Sequence, residues 1–198
     1  MISAIVLAAG LSTRMKAFKQ LLPFGDRTVI EQVVSVLMTC SLDEIVVVTG
    51  HRHAEVESAL AKYPVRVAFN PLYQQEMLTS IQRGWSQVAS KTDAVMHVLG
   101  DQPHLQARVV QQLVAAYREQ GAGIFIPSFN KRRGHPILID ARYRDEIAAL
   151  GAAATMRDFM RAHAAEIRHL TVESDAILRD MDTPEEYERE IKLKTAAA

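Results

Sequence analysis

Apolar and polar positions run in blocks along this chain, and the spacing inside the blocks alternates between two periods. The apolar run that begins at Ile5 and ends in Ala8-Ala9-Gly10 predicts a buried strand. Thr28–Met38 instead sets Val29, Ile30, Val33, Val34 and Leu37 at helical spacing. The β-branched stretch Glu44–Thr49 predicts a strand, Ala54–Lys62 a polar helix and Val65–Phe69 another strand. After the Asn70-Pro71 break come a helix over Leu78–Ala89, a strand over Asp93–Leu99, a helix over Gln106–Glu119 and a strand over Gly123–Pro127. Strand and helix in turn predict a mainly parallel sheet with helices on both faces.

The rhythm changes at Ser128. A basic, turn-prone segment, Asn130–Pro136, precedes a strand at Ile137–Ile139; helices over Tyr143–Leu150 and Met156–His163 follow. A strand near Ile167–Val172, the segment Asp180-Met181-Asp182-Thr183-Pro184 and a charged helix close the chain. No repeat, low-complexity block or linker divides it. The expectation is one domain over residues 1–192, with 193–198 a disordered tail.

Composition narrows the class. The 198 residues suffice for one sizeable core, and 23 basic residues balance 23 acidic ones. No global field then favours nucleic acid or an anionic membrane, so an anion site must be local. The single Cys40 makes no internal disulfide and reads as helix packing. Met1 leads into a strand rather than a leader, and no apolar run reaches the roughly 20 residues that span a bilayer. The expected location is the cytoplasm.

Chemistry concentrates first in the loop after the opening strand, which carries Ser12, Thr13, Arg14, Lys16 and Lys19. Small residues let backbone N–H groups approach a phosphate chain, and Arg and Lys neutralise it. A solvated basic turn is the equal alternative. No Gly-Lys-Ser/Thr follows Gly10 at P-loop spacing, and Ile126 stands where a dinucleotide fingerprint begun by Gly121-Ala122-Gly123 needs its third glycine.

Two acidic positions extend the pattern. Asp101 follows a buried strand, where a parallel sheet presents residues to ligand, and Asp182 precedes the last helix. Each taken alone reads as a helix cap, Asp182 sharing that role with Thr183 ahead of Pro184. Together, beside a cationic loop, they suit Mg²⁺ shared with a triphosphate. Lys131, Arg132, Arg133 and His135 offer a seat for a second phosphate, or a solvated turn ahead of an edge strand. His51-Arg52-His53 with Glu55 and Glu57 reads as a polar loop, and His97 as a hydrogen-bonded core residue. Ser128-Phe129-Asn130-Lys131 lacks the partner motifs of serine acyl enzymes.

With these residues in view, LAAGLSTRMKAFKQLLPFG resembles the signature loop of the MobA-like nucleotidyltransferases, typified by the molybdopterin guanylyl- and cytidylyltransferases. Asn70-Pro71, Gly100-Asp101-Gln102-Pro103, Arg133-Gly134-His135-Pro136 and Asp182-Thr183-Pro184 follow in the family's order across nearly the whole chain. Lys16, in place of a glycine after Arg-Met, and Glu76, before Met77, depart from the pattern. The resemblance implies a Rossmann-like three-layer sandwich that transfers a nucleoside monophosphate and releases pyrophosphate. It implies that Leu7, Ala8, Ala9, Gly10, Asn70, Thr79 and Ser80 bind the nucleotide, and that Arg14 and Lys19 hold the triphosphate beside Asp101. It further implies Asp101 and Asp182 as Mg²⁺ ligands, and makes Arg133 and His135 candidates for the acceptor. Ala9, where guanylyl enzymes have glycine, points to CTP, and the resemblance implies a molybdopterin-type acceptor. GTP, another phosphorylated acceptor, or a non-catalytic maturation partner of a molybdoenzyme are the alternatives.

Overall fold

The opening apolar run becomes the middle of the sheet. In the computed structural model, which describes residues 1–196, the chain begins with β1 (Ile2–Ala8), the ribbon β2 (Pro23–Phe24) and β3 (Arg27–Thr28), and α1 (Val29–Leu37). Next come β4 (Glu44–Thr49), α2 (His53–Leu60), β5 (Arg66–Phe69), α3 (Met77–Gln87), β6 (Ala94–Leu99) and α4 (Ala107–Gln120). The second part holds β7 (Ile124–Phe129), β8 (Arg132–Arg133), β9 (Ile137–Asp140), α5 (Arg144–Ala149), α6 (Met156–Ala162), β10 (Ile167–Thr171) and α7 (Pro184–Ala196).

Strand order is β10-β7-β9-β6-β1-β4-β5, with β8 attached to β7. β1 pairs in parallel with both β4 and β6, so the chain builds outward to β5 and then crosses back to the other side of β1. The ends of β1 and β6 therefore open on one crevice, the place where such sheets bind ligands. β9 was expected at an edge. It lies inside, antiparallel to both β6 and β7, because the chain reverses after β7. Asn130 and Lys131 make that reversal with φ of 48° and 63°, as a two-residue hairpin requires.

Alternation along β1 divides the core. Ala4, Val6 and Ala8 join the face covered by α1, α2 and α4, whereas Ile5 packs with α3, α5 and α6 on the other face. The result is the expected Rossmann-like three-layer α/β sandwich. Buried His97 accepts from Trp85 Nε1 at 2.8 Å, as a core histidine should. A third small cluster, Met15, Phe24, Val29 and Met181, joins the first loop to the segment before α7.

Local signals explain the helix ends. Thr28 and Glu31 form a capping box on α1, the Thr28 N–H donating to Glu31 Oε2 at 2.8 Å. Thr183 and Glu186 cap α7 in the same reciprocal way, at 3.3 and 3.0 Å, behind Pro184. Residues 193–196, expected to be a disordered tail, continue α7. Lys194 holds them down by donating to Gln32 Oε1 at 3.3 Å, with its ammonium 4.6 Å from the Phe24 ring centre. Residues 197–198 of that expected tail lie outside the described residues. No helix among the described residues is long and apolar enough to cross a membrane.

Candidate active site

The end of β1 sorts its residues by direction. Leu7, Ala9 and Gly10 line a cleft of about 220 Å³, while the Ala8 side chain is buried in the α1-side core. A Cβ at Gly10 would meet no protein atom within 4 Å, so the bare backbone there leaves room for a ligand. Gly100 is bare for the opposite reason: its Cβ would stand 2.8 Å from the Leu7 carbonyl oxygen, where β1 and β6 run close.

The loop after Gly10 turns through two single-turn helices, Thr13–Met15 and Lys19–Leu21. Ser12 and Lys16 take left-handed φ of 55° and 56°. Lys16, at a position the family fills with glycine, therefore holds a conformation that glycine adopts more easily. Glu76, the other departure, has a φ of −57° and needs no glycine. Buried Met15 and Phe18 anchor the loop, which leaves Arg14 exposed and Lys19 turned inward.

Lys19 is the hub. Its Nζ donates to Asp101 Oδ2 and, at 2.9 Å, to Asp182 Oδ1. Arg14 Nη2 donates to the other Asp182 oxygen at 2.6 Å. The side chains of Lys19, Asp101 and Asp182 keep 11%, 16% and 28% of their exposure, so these charges are screened far less than surface pairs. Neither aspartate is a cap: α4 starts at Ala107 behind Gln106, and of the two candidates before α7 it is Thr183, with Glu186, that caps the helix ahead of Pro184. Both aspartates are left free for the lysine.

The charges are unequal. Burial would discharge Lys19, but Asp101 and Asp182 outweigh it and raise its pKa, so its ammonium is a fixed charge. Asp182 is partly desolvated, yet Lys19 and Arg14 hold its carboxyl below the ordinary value. Asp101 is pushed up by its deeper burial and by repulsion from Asp180 and Asp182, against the pull of Lys19. A carboxylate that remains unfavourably buried beside a lysine is one that a further cation would favour.

Hard oxygen donors from two carboxylates, with the other positions left to water and phosphate, match the way Mg²⁺ is held in phosphoryl-transfer sites. No group of three or more His, Cys, Asp and Glu side chains among the described residues could hold a metal ion without such help. The His51-Arg52-His53 segment is tied into its own loop and helix. His53 Nδ1 bonds Thr49 Oγ1 at 2.8 Å, and Arg52 pairs with Glu55.

Other expected residues are distributed differently. Ser80 lines the cleft with Tyr73, Gln75 and Met77. Asn70 is fully occupied within its own loop: it donates to Thr79 Oγ1 and Ser80 Oγ at 3.0 Å each, and accepts from Leu72 N at 3.0 Å. Thr79 faces a neighbouring cavity, its hydroxyl donating to the carbonyls of Leu72 or Glu76. Arg133 is exposed in β8 and lies close enough to His169 to lower that histidine's pKa, after burial. His135 turns inward, its pKa pushed down to about 4 by burial although Asp101 is near. These two acceptor candidates do not form one patch.

Sequence reasoning passed over Gln20, Tyr73 and Gln75, all on the cleft, and the bond from Gln102 Nε2 to Asp180 Oδ1 at 2.8 Å. Gln102 and Asp180 each sat inside a noted motif. Gln20 carried no signal beyond standing beside Lys19.

A bare-backbone loop at a sheet switch point, with a lysine clasped by two carboxylates, defines an α/β protein that handles nucleotide phosphates. A family model described as the MobA-like NTP transferase domain matches residues 4–167, and the chain belongs to that nucleotidyltransferase family. It is similar to the molybdenum cofactor cytidylyltransferase of Escherichia coli (strain K12), with 30% identity covering 94% of this chain and 93% of that protein. It is also similar to the nicotine blue oxidoreductase of Paenarthrobacter nicotinovorans, with 27% identity covering 95% of each. Among solved structures, a nucleotidyl transferase from Methanothermobacter thermautotroptrophicus superposes with a TM-score of 0.86 at 25% identity, covering 100% of this chain and 99% of that one.

Proposed function

We propose that the protein transfers CMP from CTP to the terminal phosphate of a molybdopterin-type acceptor and releases pyrophosphate. The observation that carries this reading is Lys19 held between Asp101 and Asp182 beside the open backbone at Gly10. One of the similar proteins is an oxidoreductase by name, so whole-chain likeness supports more than one reaction class. A lysine and paired carboxylates at the phosphate end favour group transfer.

In this reading an acceptor phosphate oxygen bonds to the α-phosphorus of CTP. The bond from that phosphorus to its bridging oxygen breaks, and pyrophosphate leaves with the electron pair. The attacking oxygen is already ionised, so no side chain need take a proton. The obstacle is repulsion among anions, met by positioned cations. Lys19, kept protonated by its two partners, and Arg14, bonded to Asp182, would face the departing pyrophosphate. Asp101 and Asp182 would hold Mg²⁺, which when bound supplies charge neutralisation between the triphosphate and the incoming phosphate.

Ala9 lines the cleft, and its methyl group crowds a purine more than a pyrimidine. The deciding experiment offers purified protein Mg²⁺, molybdopterin and each nucleoside triphosphate in turn. Pyrophosphate release with CTP alone is expected. Release with GTP alone would mean guanylyl transfer, and binding without release would mean a maturation partner. Ala9→Gly should raise the rate with GTP relative to CTP by about tenfold, the scale of one methyl group in a pocket.

A further inference from the structure

Gln20 lines the same cleft, and at 2% exposure it is the most deeply buried polar side chain there. Its surroundings set its orientation. Ser12 Oγ accepts from the Lys19 N–H at 3.2 Å and gives its own proton to Gln20 Oε1, also at 3.2 Å. The amide's other end, Nε2, has no hydrogen-bond partner among the described residues. It is not sealed off either, since the fully enclosed side-chain atoms lacking partners there are Arg179 Nε and Glu190 Oε2. Gln20 lines the cleft, so the cleft is the opening available to Nε2.

A buried amide that presents only a donor calls for an acceptor, and an unmet one is destabilising. Gln20 adjoins Lys19 in the chain and is bonded to Ser12, so it belongs to the loop wall of the cleft. Tyr73, Gln75 and Met77, from the segment that leads into α3, line the same cleft. We infer that Gln20 Nε2 donates to a phosphate oxygen of the bound nucleotide, and that Ser12 is the positioning residue that turns the amide toward it. This rests on the reading that the cleft takes a nucleoside triphosphate.

Calorimetric titration with CTP and with inorganic pyrophosphate tests the inference on the wild type, Gln20→Leu, Gln20→Glu and Ser12→Ala, each first checked by thermal melting. Gln20→Leu should weaken both ligands about tenfold, the loss of one hydrogen bond to a charged group. Gln20→Glu keeps the shape, cannot donate when ionised and adds repulsion, so it should weaken both further. Ser12→Ala should weaken pyrophosphate by a smaller factor, about threefold, because it frees the amide to rotate without removing it. Unchanged pyrophosphate binding in Gln20→Leu overturns the inference. If that variant does not fold, unchanged pyrophosphate binding in Gln20→Glu overturns it equally. A changed preference between CTP and GTP with pyrophosphate binding intact would assign the amide to the base instead. A wild type that binds neither ligand would overturn the triphosphate reading itself, and the inference with it.

Discussion

The two walls of the cleft use polar side chains in opposite ways. On the phosphate wall Lys19, Asp101 and Asp182 come from three distant parts of the chain and meet one another at the cleft. Behind the facing wall, Asn70, Thr79 and the Leu72 N–H bond among themselves and shape the loop that carries Tyr73 and Gln75 to the cleft. Both walls are rich in residues the family resemblance marks out. Only the first carries charge that its own protein partners leave unbalanced, as the raised pKa of Asp101 records. The difference separates residues expected to act on a ligand from residues that hold the wall on which a ligand rests.

Substitutions at the two walls should therefore fail differently. Asp101→Ala and Asp182→Ala should each lower turnover by about a hundredfold or more, the scale of losing preorganised electrostatic stabilisation. Their melting temperatures should stay within a few degrees of wild type. Steady-state pyrophosphate release beside thermal melting checks this, and near-normal turnover in both variants would remove the metal assignment.

The acid response comes next in size. His97 and His135, the second of them near Asp101, have pKa values pushed down to about 3 and about 4 by burial, from an ordinary 6.5. Both are neutral in the fold at pH values where the unfolded chain binds protons. Their burial carries no protonation cost above pH 6.5, and a destabilising penalty grows as pH falls from 6.5 to about 4 for His135 and to about 3 for His97. Unfolding free energy should drop by up to about 1.4 kcal/mol per pH unit for each histidine. Denaturant titrations from pH 7.5 downward test the slope, which His135→Asn should roughly halve.

Behind the facing wall, Asn70→Ala should destabilise the fold by about 1–3 kcal/mol, because the Leu72 N–H and the Ser80 hydroxyl lose their partner. Its effect should be on KM for the nucleotide more than on kcat. A kcat loss as large as that of Asp101→Ala would erase the distinction between the walls. The smallest effect is expected at Lys16, where glycine would relieve a left-handed conformation worth about 1 kcal/mol, partly offset by glycine's greater freedom when unfolded. A small rise in melting temperature is the predicted reading.

Periodicity along the chain located most of the longer elements to within a residue or two, as in Glu44–Thr49 and Met156–Ala162, but β1 starts three residues before Ile5, and β2, β3 and β8 are too short to show a period. It could not place β9, since a short apolar segment after a hairpin reads the same at an edge as between two strands. Nor could spacing choose between cap and ligand for Asp182. The Thr183–Glu186 pairing, which depends on side-chain geometry, shows only that the cap is Thr183 and not Asp182. Lys19 and the two aspartates were legible as residue types; their meeting at one ammonium was not, because it is made by the switch point of the sheet. Asn70 and Thr79 were legible as belonging near the site, but their inward bonding was hidden for the same reason.

The cluster of Met15, Phe24, Val29 and Met181 ties the first loop to the far end of the chain. The family match ends at residue 167, so it leaves out Asp182 and all of α7. A protein shortened to that boundary would keep Gly10, Lys19 and Asp101 but lose one of the two carboxylates around the ammonium. The loop bearing the ammonium would lose its backing as well. For this chain, the unit that brings Lys19 between its two carboxylates is longer than the unit by which its kinship is recognised.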